Sequence, residues 1–204
     1  RFLVEPERVE VGRHTTTVDH VKQRMMAIDD RNKVPLLLHL LGEGRKGVLV
    51  FCRTRRRVGW VGAALRRHNI RVGVLHGDRS QAQRQRALDS FAEGRLDVVV
   101  ATEVASRGLH VPAVRTVINY DVPLTAEEYV HRIGRAGHGS RQRADAITFV
   151  SNREEREWGA IRRRLDIDPP RGLPDGFVAP NVDPRRDKRG SSSTSSRKYT
   201  RGGK

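Results

Sequence analysis

The arginines of this chain are spaced in ways that suit phosphate oxygens. In Tyr129-Val130-His131-Arg132-Ile133-Gly134-Arg135-Ala136-Gly137 a helical pattern ends at Gly134 and delivers Arg135 into the following loop. A guanidinium is always charged, and its rigid fork matches paired oxygens of a phosphate. The plainer reading of the same arginines is pairing with acidic neighbours inside the fold. A second segment, Ala101-Thr102-Glu103-Val104-Ala105-Ser106-Arg107-Gly108-Leu109, follows an apolar run. A hydroxyl and backbone amides at a strand end form a phosphate cradle. A third is His76-Gly77-Asp78, with Gln81, Arg84, Phe91 and Gly94 in the helical pattern behind it. In the fourth, Val48-Leu49-Val50-Phe51-Cys52-Arg53-Thr54, a strand opens straight into an Arg-rich helix start. With Thr54 as its cap, that helix N-terminus suits an anion.

These segments need a scaffold, and the chain supplies one. Short apolar runs lie at 48–52, 72–76, 98–102, 116–120 and 146–150. They are continuous and rich in β-branched residues, as strands covered on both faces of a parallel sheet are. Helical patterns fall between them near 34–41, 55–68, 80–92 and 126–133, with a last one near 152–165. Ser80 with Gln83, Thr125 with Glu128, and Ser151 with Glu154 read as capping boxes, and Leu124 is placed to staple onto Tyr129. Trp158, Ile161 and Leu165 share one face of the last helix. Strand and helix in alternation predict an α/β fold with right-handed crossovers. Ligands of such sheets sit at the carboxyl ends of the strands, which directs attention to the loops after residues 52, 76, 102 and 120.

The ends differ from the middle. Residues 1–32 read as a lead-in, with a β-prone run from Thr15 to Ile28, and 33–168 as the folded domain. Residues 169–204 hold mostly Gly, Pro, Ser, Arg and Lys, too little apolar surface to fold alone, and read as a disordered basic tail. That tail is either simply solvated or a nonspecific RNA-binding arm. The chain starts at Arg1, without Met, which suggests a piece of a longer protein.

Lys and Arg number 40 against 24 Asp and Glu, for a formal charge of +16. Such a surface suits a polyanion, because basic side chains displace counterions from phosphates. A GC-rich genome would also favour arginine. One cysteine, Cys52, sits in an apolar run, so no disulfide framework or cysteine zinc site is available. Its expected role is that of a small buried hydrophobe. No stretch approaches the ~20 apolar residues of a membrane span. Arg1 to Arg13 lacks the apolar region of a signal peptide, and a cytoplasmic, reducing compartment is expected.

In order and spacing the four segments resemble the C-terminal helicase domain of DEAD-box RNA helicases, over residues 33 to 165. His131-Arg132-Ile133-Gly134-Arg135 is the most specific part of the match. The resemblance implies a RecA-like, three-layer domain with a mainly parallel sheet. It implies that Arg53 and Thr54, with Gly77 nearby, lie along an RNA backbone. Gln81 and Arg84 would support those contacts, and Thr102 and Gly108 would touch RNA phosphates. Arg107 would couple them to a second domain. Asn119, Tyr120 and Asp121 fit a further motif of the family. His131 and Arg132 would reach the other domain, and Arg135 would act as an arginine finger on the γ-phosphate of ATP. The partners implied are RNA and an N-terminal RecA-like domain that holds ATP with Mg2+. Such contacts read backbone and shape rather than base sequence.

The chain departs from the family pattern at three positions. Glu103 stands where an Asp is usual. His110 replaces an Asp that meets the ATP ribose, and His138 replaces a second arginine finger. Histidine is only partly charged near neutral pH and has no fork. Two readings stay open: weakened ATP hydrolysis, or a co-adapted His110–His138 pair that restores it. The chain has no Gly-x-x-x-x-Gly-Lys-Ser/Thr loop and no Asp-Glu-Ala-Asp, so alone it is expected not to hydrolyse ATP. A rival reading is a non-enzymatic RNA-binding module or chaperone. Another is a DNA-directed helicase, disfavoured by the His131–Arg135 string.

Overall fold

The computed structural model describes residues 21–106, 114–137 and 144–180. Six strands form a single sheet: β1 (Val21–Ala27), β2 (Val48–Phe51), β3 (Val72–Leu75), β4 (Val98–Ala101), β5 (Thr116–Asn119) and β6 (Ala144–Val150). Their order is β1-β6-β5-β2-β4-β3, and each recorded pairing is parallel. The helices are α1 (Lys33–Gly42), α2 (Arg55–Arg67), α3 (Gln81–Ala92), a single turn α4 (Glu103–Ser106), α5 (Ala126–Ile133) and α6 (Glu155–Leu165). A 3-10 turn, Asp30–Asn32, leads into α1.

Each central strand is buried on both faces, which is why its sequence is apolar without alternation. Val48, Val50, Val98, Val100 and Ile118 face Leu36, Leu37 and Leu40 of α1 and Val58, Val61 and Leu65 of α2. Leu49, Phe51, Val99 and Val117 face Leu88 and Phe91 of α3, Tyr129 and Ile133 of α5, and Trp158 and Ile161 of α6. The domain is therefore a three-layer RecA-like α/β fold, as the sequence implied. Cys52 is wholly buried, and burial pushes its thiol well above the ordinary value. Helix α2 packs so closely on β3 that a Cβ at Gly62 would stand 2.5 Å from Val74 Cγ1. Only glycine permits that approach.

Several local expectations change. Strand β1 lies within the sequence assigned to the lead-in, yet it pairs with β6 over the whole register Val21↔Ala144 to Ala27↔Val150. The chain after Asp168 does not leave the domain at once. Met25 N–H donates to the Pro170 carbonyl at 2.9 Å and Gly172 N–H to the Met25 carbonyl at 3.2 Å. Phe177 then meets the His39 ring edge-on, with centroids 5.4 Å apart. Residues 169–177 thus strap the outer edge of β1. The box at Ser80 and Gln83 is present in both directions. At α5 Thr125 accepts from Glu128 N–H, but the Glu128 carboxylate turns to Leu124 N–H and Arg132. Leu124 stays 63% exposed, so it does not staple. Helix α6 starts at Glu155 rather than near 152, because the Glu154 carboxylate is drawn into a buried ion pair described next.

Candidate functional site

From β2 the chain runs to the edge at β3, returns to β4 beside β2 and then crosses to β5 on the other side of β2, so β4, β2 and β5 meet at a topological switch. The crevice at the carboxyl ends of such strands is where α/β folds bind ligands. Arg53 and Thr54 follow β2, Thr102 and Glu103 follow β4, and Tyr120 and Asp121 follow β5. His76, Gly77 and Asp78 follow β3.

Arg53 donates its backbone N–H to Asp121 Oδ2 at 2.8 Å and its guanidinium to the Val122 carbonyl at 3.0 Å. Thr54 is exposed and caps α2 by accepting from Arg57 N–H at 3.1 Å. Arg57 reaches Asp121 Oδ1 at 3.3 Å. Burial works most strongly against the Arg57 charge, but Asp121, Tyr120, Asp30 and Cys52 together outweigh it and hold the guanidinium above its ordinary value. Arg55 pairs with Asp78 at 2.7 Å, joining the start of α2 to the loop after β3. Gly77 and Gln81 are exposed. Arg84 donates to Gln81 Oε1 at 3.2 Å and to the Ala105 carbonyl at 2.8 Å. The expected Gln81–Arg84 pair is therefore assembled, and it fixes the turn that follows Thr102.

Arg132 follows the plainer reading of these arginines, pairing with acidic neighbours inside the fold. Its side chain is 1% exposed and turned inward. It donates to Glu103 Oε2 at 3.2 Å, to Asn119 Oδ1 at 3.3 Å, to the Asp121 carbonyl at 3.0 Å and to the Glu128 carboxylate. Its guanidinium also lies 5.1 Å from the Phe51 ring centroid. Reaching a second domain would require breaking these bonds, so here Arg132 organises the site from within. Glu103, expected near a nucleotide, is part of the same knot. His131 is exposed on the opposite side of α5.

Arg135 lies two residues past α5, in a turn held at both ends. Its N–H donates to the Arg132 carbonyl at 3.1 Å, and Gly137 N–H donates to the Val114 carbonyl at 3.0 Å. Gly137 has φ +79°, and a Cβ there would stand 3.1 Å from Ala144 Cβ, so the turn requires glycine. Arg107, Gly108, His110, His138 and Arg141 lie outside the described residues.

A buried pair escaped the sequence reading. Lys33, fully buried, places its ammonium 2.5 Å from Glu154 Oε2, 2.9 Å from the Tyr120 carbonyl and 3.3 Å from Asp30 Oδ1. Glu154 also accepts from Val122 N–H at 3.1 Å and from the Ser151 hydroxyl at 2.8 Å. The pair ties the loops after β1, β5 and β6 together beneath Arg53. In sequence, Lys33 looks like any basic residue at a helix start, and Glu154 like half of a cap.

Among the described residues no group of three or more His, Cys, Asp or Glu side chains could hold a metal ion, and no helix is long and apolar enough to cross a membrane. Arg53 and Thr54 are exposed at the carboxyl end of β2, a guanidinium and a hydroxyl that suit phosphate oxygens.

The family described as "Helicase conserved C-terminal domain" matches residues 32–140. The chain is 45% identical over 151 residues to the ATP-dependent RNA helicase RhlB of Xanthomonas campestris pv. campestris, covering 73% of this chain and 26% of that protein. It thus spans about a quarter of that relative's length. The E. coli DEAD-box protein SrmB, solved bound to regulator of ribonuclease activity A, superposes with a TM-score of 0.69 at 33% identity, over 78% of this chain and 96% of that one. The S. cerevisiae protein Dbp5, solved bound to RNA and ADP BeF3, gives a TM-score of 0.71 at 32% identity, over 80% of this chain and 44% of that one. Together with the parallel sheet and the ordered arginine loops, these matches show that the chain belongs to the helicase conserved C-terminal domain family, as the C-terminal RecA-like domain of a DEAD-box protein.

Proposed function

We propose that this chain is the C-terminal half of an ATP-dependent RNA helicase of the cytoplasm, binding an RNA backbone and completing an ATP site held by an N-terminal RecA-like domain. The observation that carries the reading is the row of Arg53, Thr54 and Thr102 at the carboxyl ends of the strands, with Arg84 tying Gln81 to the turn after Thr102. Exposed Thr54 and Gly77, and the Gln81–Arg84 pair, fit RNA phosphates; Gly108 is proposed to touch RNA as well, and Arg107 to couple these contacts to the second domain. Bound ATP supplies a transferable γ-phosphoryl group, with Mg2+ held by the other domain. Arg135 is the finger: a guanidinium there stabilises charge growing on the phosphoryl oxygens, an effect of roughly 10³–10⁵ in rate in studied NTPases. Glu103 acts through Arg132, His131 faces the second domain, and His110 and His138 take the nucleotide-contacting roles of the residues they replace. Closure of the two domains on one strand then separates a short duplex locally.

The first experiment is ATP hydrolysis by the full-length protein, with and without RNA. Hydrolysis stimulated by RNA supports the helicase. Tight RNA binding without hydrolysis overturns it and favours the second reading, a non-enzymatic RNA clamp or chaperone, which the replacement of a finger by His138 favours.

A further inference from the structure

Helix α2 carries an exposed stripe that the strand-end crevice leaves unused. Trp60 is 52% exposed, whereas the chain's other tryptophan, Trp158, is fully buried. Arg56, Ala63 and Arg67 are exposed as well. Spacings of four, three and four residues put all four on one side of the helix. The helix contains no Asp or Glu. Of its five arginines, Arg55 is held by Asp78, Arg57 by Asp121, and Arg66 lies 3.5 Å from the Val72 carbonyl. Among the described residues Arg56 and Arg67 have no ion-pair partner. Space beside the indole is open: a Cβ at Gly59 would meet nothing within 4 Å.

An indole left in water between two guanidiniums has a cost in apolar hydration that a purely structural residue would avoid. Aromatic faces interleaved with arginine are how sequence-tolerant single-strand binders hold bases and phosphates together. A protein partner would need an acidic surface matched to an apolar ring. An RNA strand carries both the negative charge and the π-face on every nucleotide. The stripe also begins where RNA is already placed, since α2 starts at Thr54 and Arg55 on the rim of the crevice. From Arg56 to Arg67 it runs about 16 Å at 1.5 Å per residue.

We propose that Trp60, flanked by Arg56 and Arg67, is a base-stacking subsite for single-stranded RNA that leaves the crevice along α2. This rests on the RNA-binding reading above.

The test uses the 204-residue chain and intrinsic tryptophan emission, because Trp158 is buried and Trp60 is not. Two oligouridylates serve as probes, one short enough to fill the crevice only and one long enough to follow α2. Binding of the long probe is expected to quench the emission. Trp60→Ala is expected to weaken the long probe about tenfold, in the range of one stacked base, and to leave the short probe unchanged. Trp60→Phe, which keeps a π-face, should restore most of the loss. Equal binding of both probes by wild type and Trp60→Ala, with emission unmoved, overturns the subsite while leaving the RNA reading intact. Failure of both probes to bind wild type overturns the RNA reading and the subsite with it. Quenching by polyglutamate but not by RNA assigns the stripe to an acidic protein partner instead, and also overturns the subsite.

Discussion

Glu103, Glu128, Asn119 and the Asp121 carbonyl enclose the Arg132 guanidinium, while Arg135, three residues later, sits in a turn with a backbone bond at each end. Substitution should separate the two. Arg132→Ala strands two part-buried carboxylates, and loss of one partner of a buried ion pair costs about 3 kcal/mol or more. Urea unfolding should show that drop, and activity should fall with it. Arg135→Ala, at a less buried position, should lose less stability than Arg132→Ala while ATP hydrolysis by the full-length enzyme falls by about 10³ or more. Equal stability of both variants would show that Arg132 is not structural. His138→Arg in the full-length enzyme discriminates the two readings of that position: a rise in kcat assigns a lost finger, an unchanged or lower kcat a co-adapted site. The sequence made Arg135 legible, because its position relative to the helix end is local. For Arg132 it offered only the general reading of pairing with acidic neighbours: Glu128, four residues back on the same helix, is local, but Glu103 lies 29 residues away on another element. Lys33 and Glu154, 121 residues apart, were illegible for the same reason.

The central strands were legible because burial on both faces leaves a continuous apolar run. Strand β1 was harder: its burial is broken, with Lys22, Arg24 and Ala27 exposed at a sheet edge. The strap of residues 169–177 was invisible to composition, because two backbone hydrogen bonds to Met25 and one aromatic contact fix it. An exposed row of strand amides invites pairing with another chain, and covering it removes that hazard. Phe177→Ala should lower stability by about 1 kcal/mol, since the ring is only partly buried against α1. Ending the chain at Asp168 should go further and raise aggregation, measured by light scattering on warming. A truncation as soluble as the full chain would show that the strap protects nothing.

At the scale of the molecule the charge of +16 is the governing quantity, and part of it lies beyond the strap. From Pro184 onward the basic residues are Arg185, Arg186, Lys188, Arg189, Arg197, Lys198, Arg201 and Lys204. Each phosphate that such residues neutralise on a single strand adds about 0.7 to the slope of log affinity against log salt. Removing residues 181–204, which leaves the strap in place, should therefore flatten that slope for RNA by several units. An unchanged slope would mean that the tail does not touch RNA.

Strand β1 has a further consequence, a mechanical one. Any tension arriving through residues before Val21 acts along a strand that pairs with β6 over its full length. Load applied lengthwise is shared among all the rungs of that ladder at once, rather than peeling them singly. At its far end the strand runs within six residues of Lys33, whose ammonium grips the loops after β5 and β6. A pull from upstream is thus carried by a stiff tether into the floor of the crevice, where Arg53 rests.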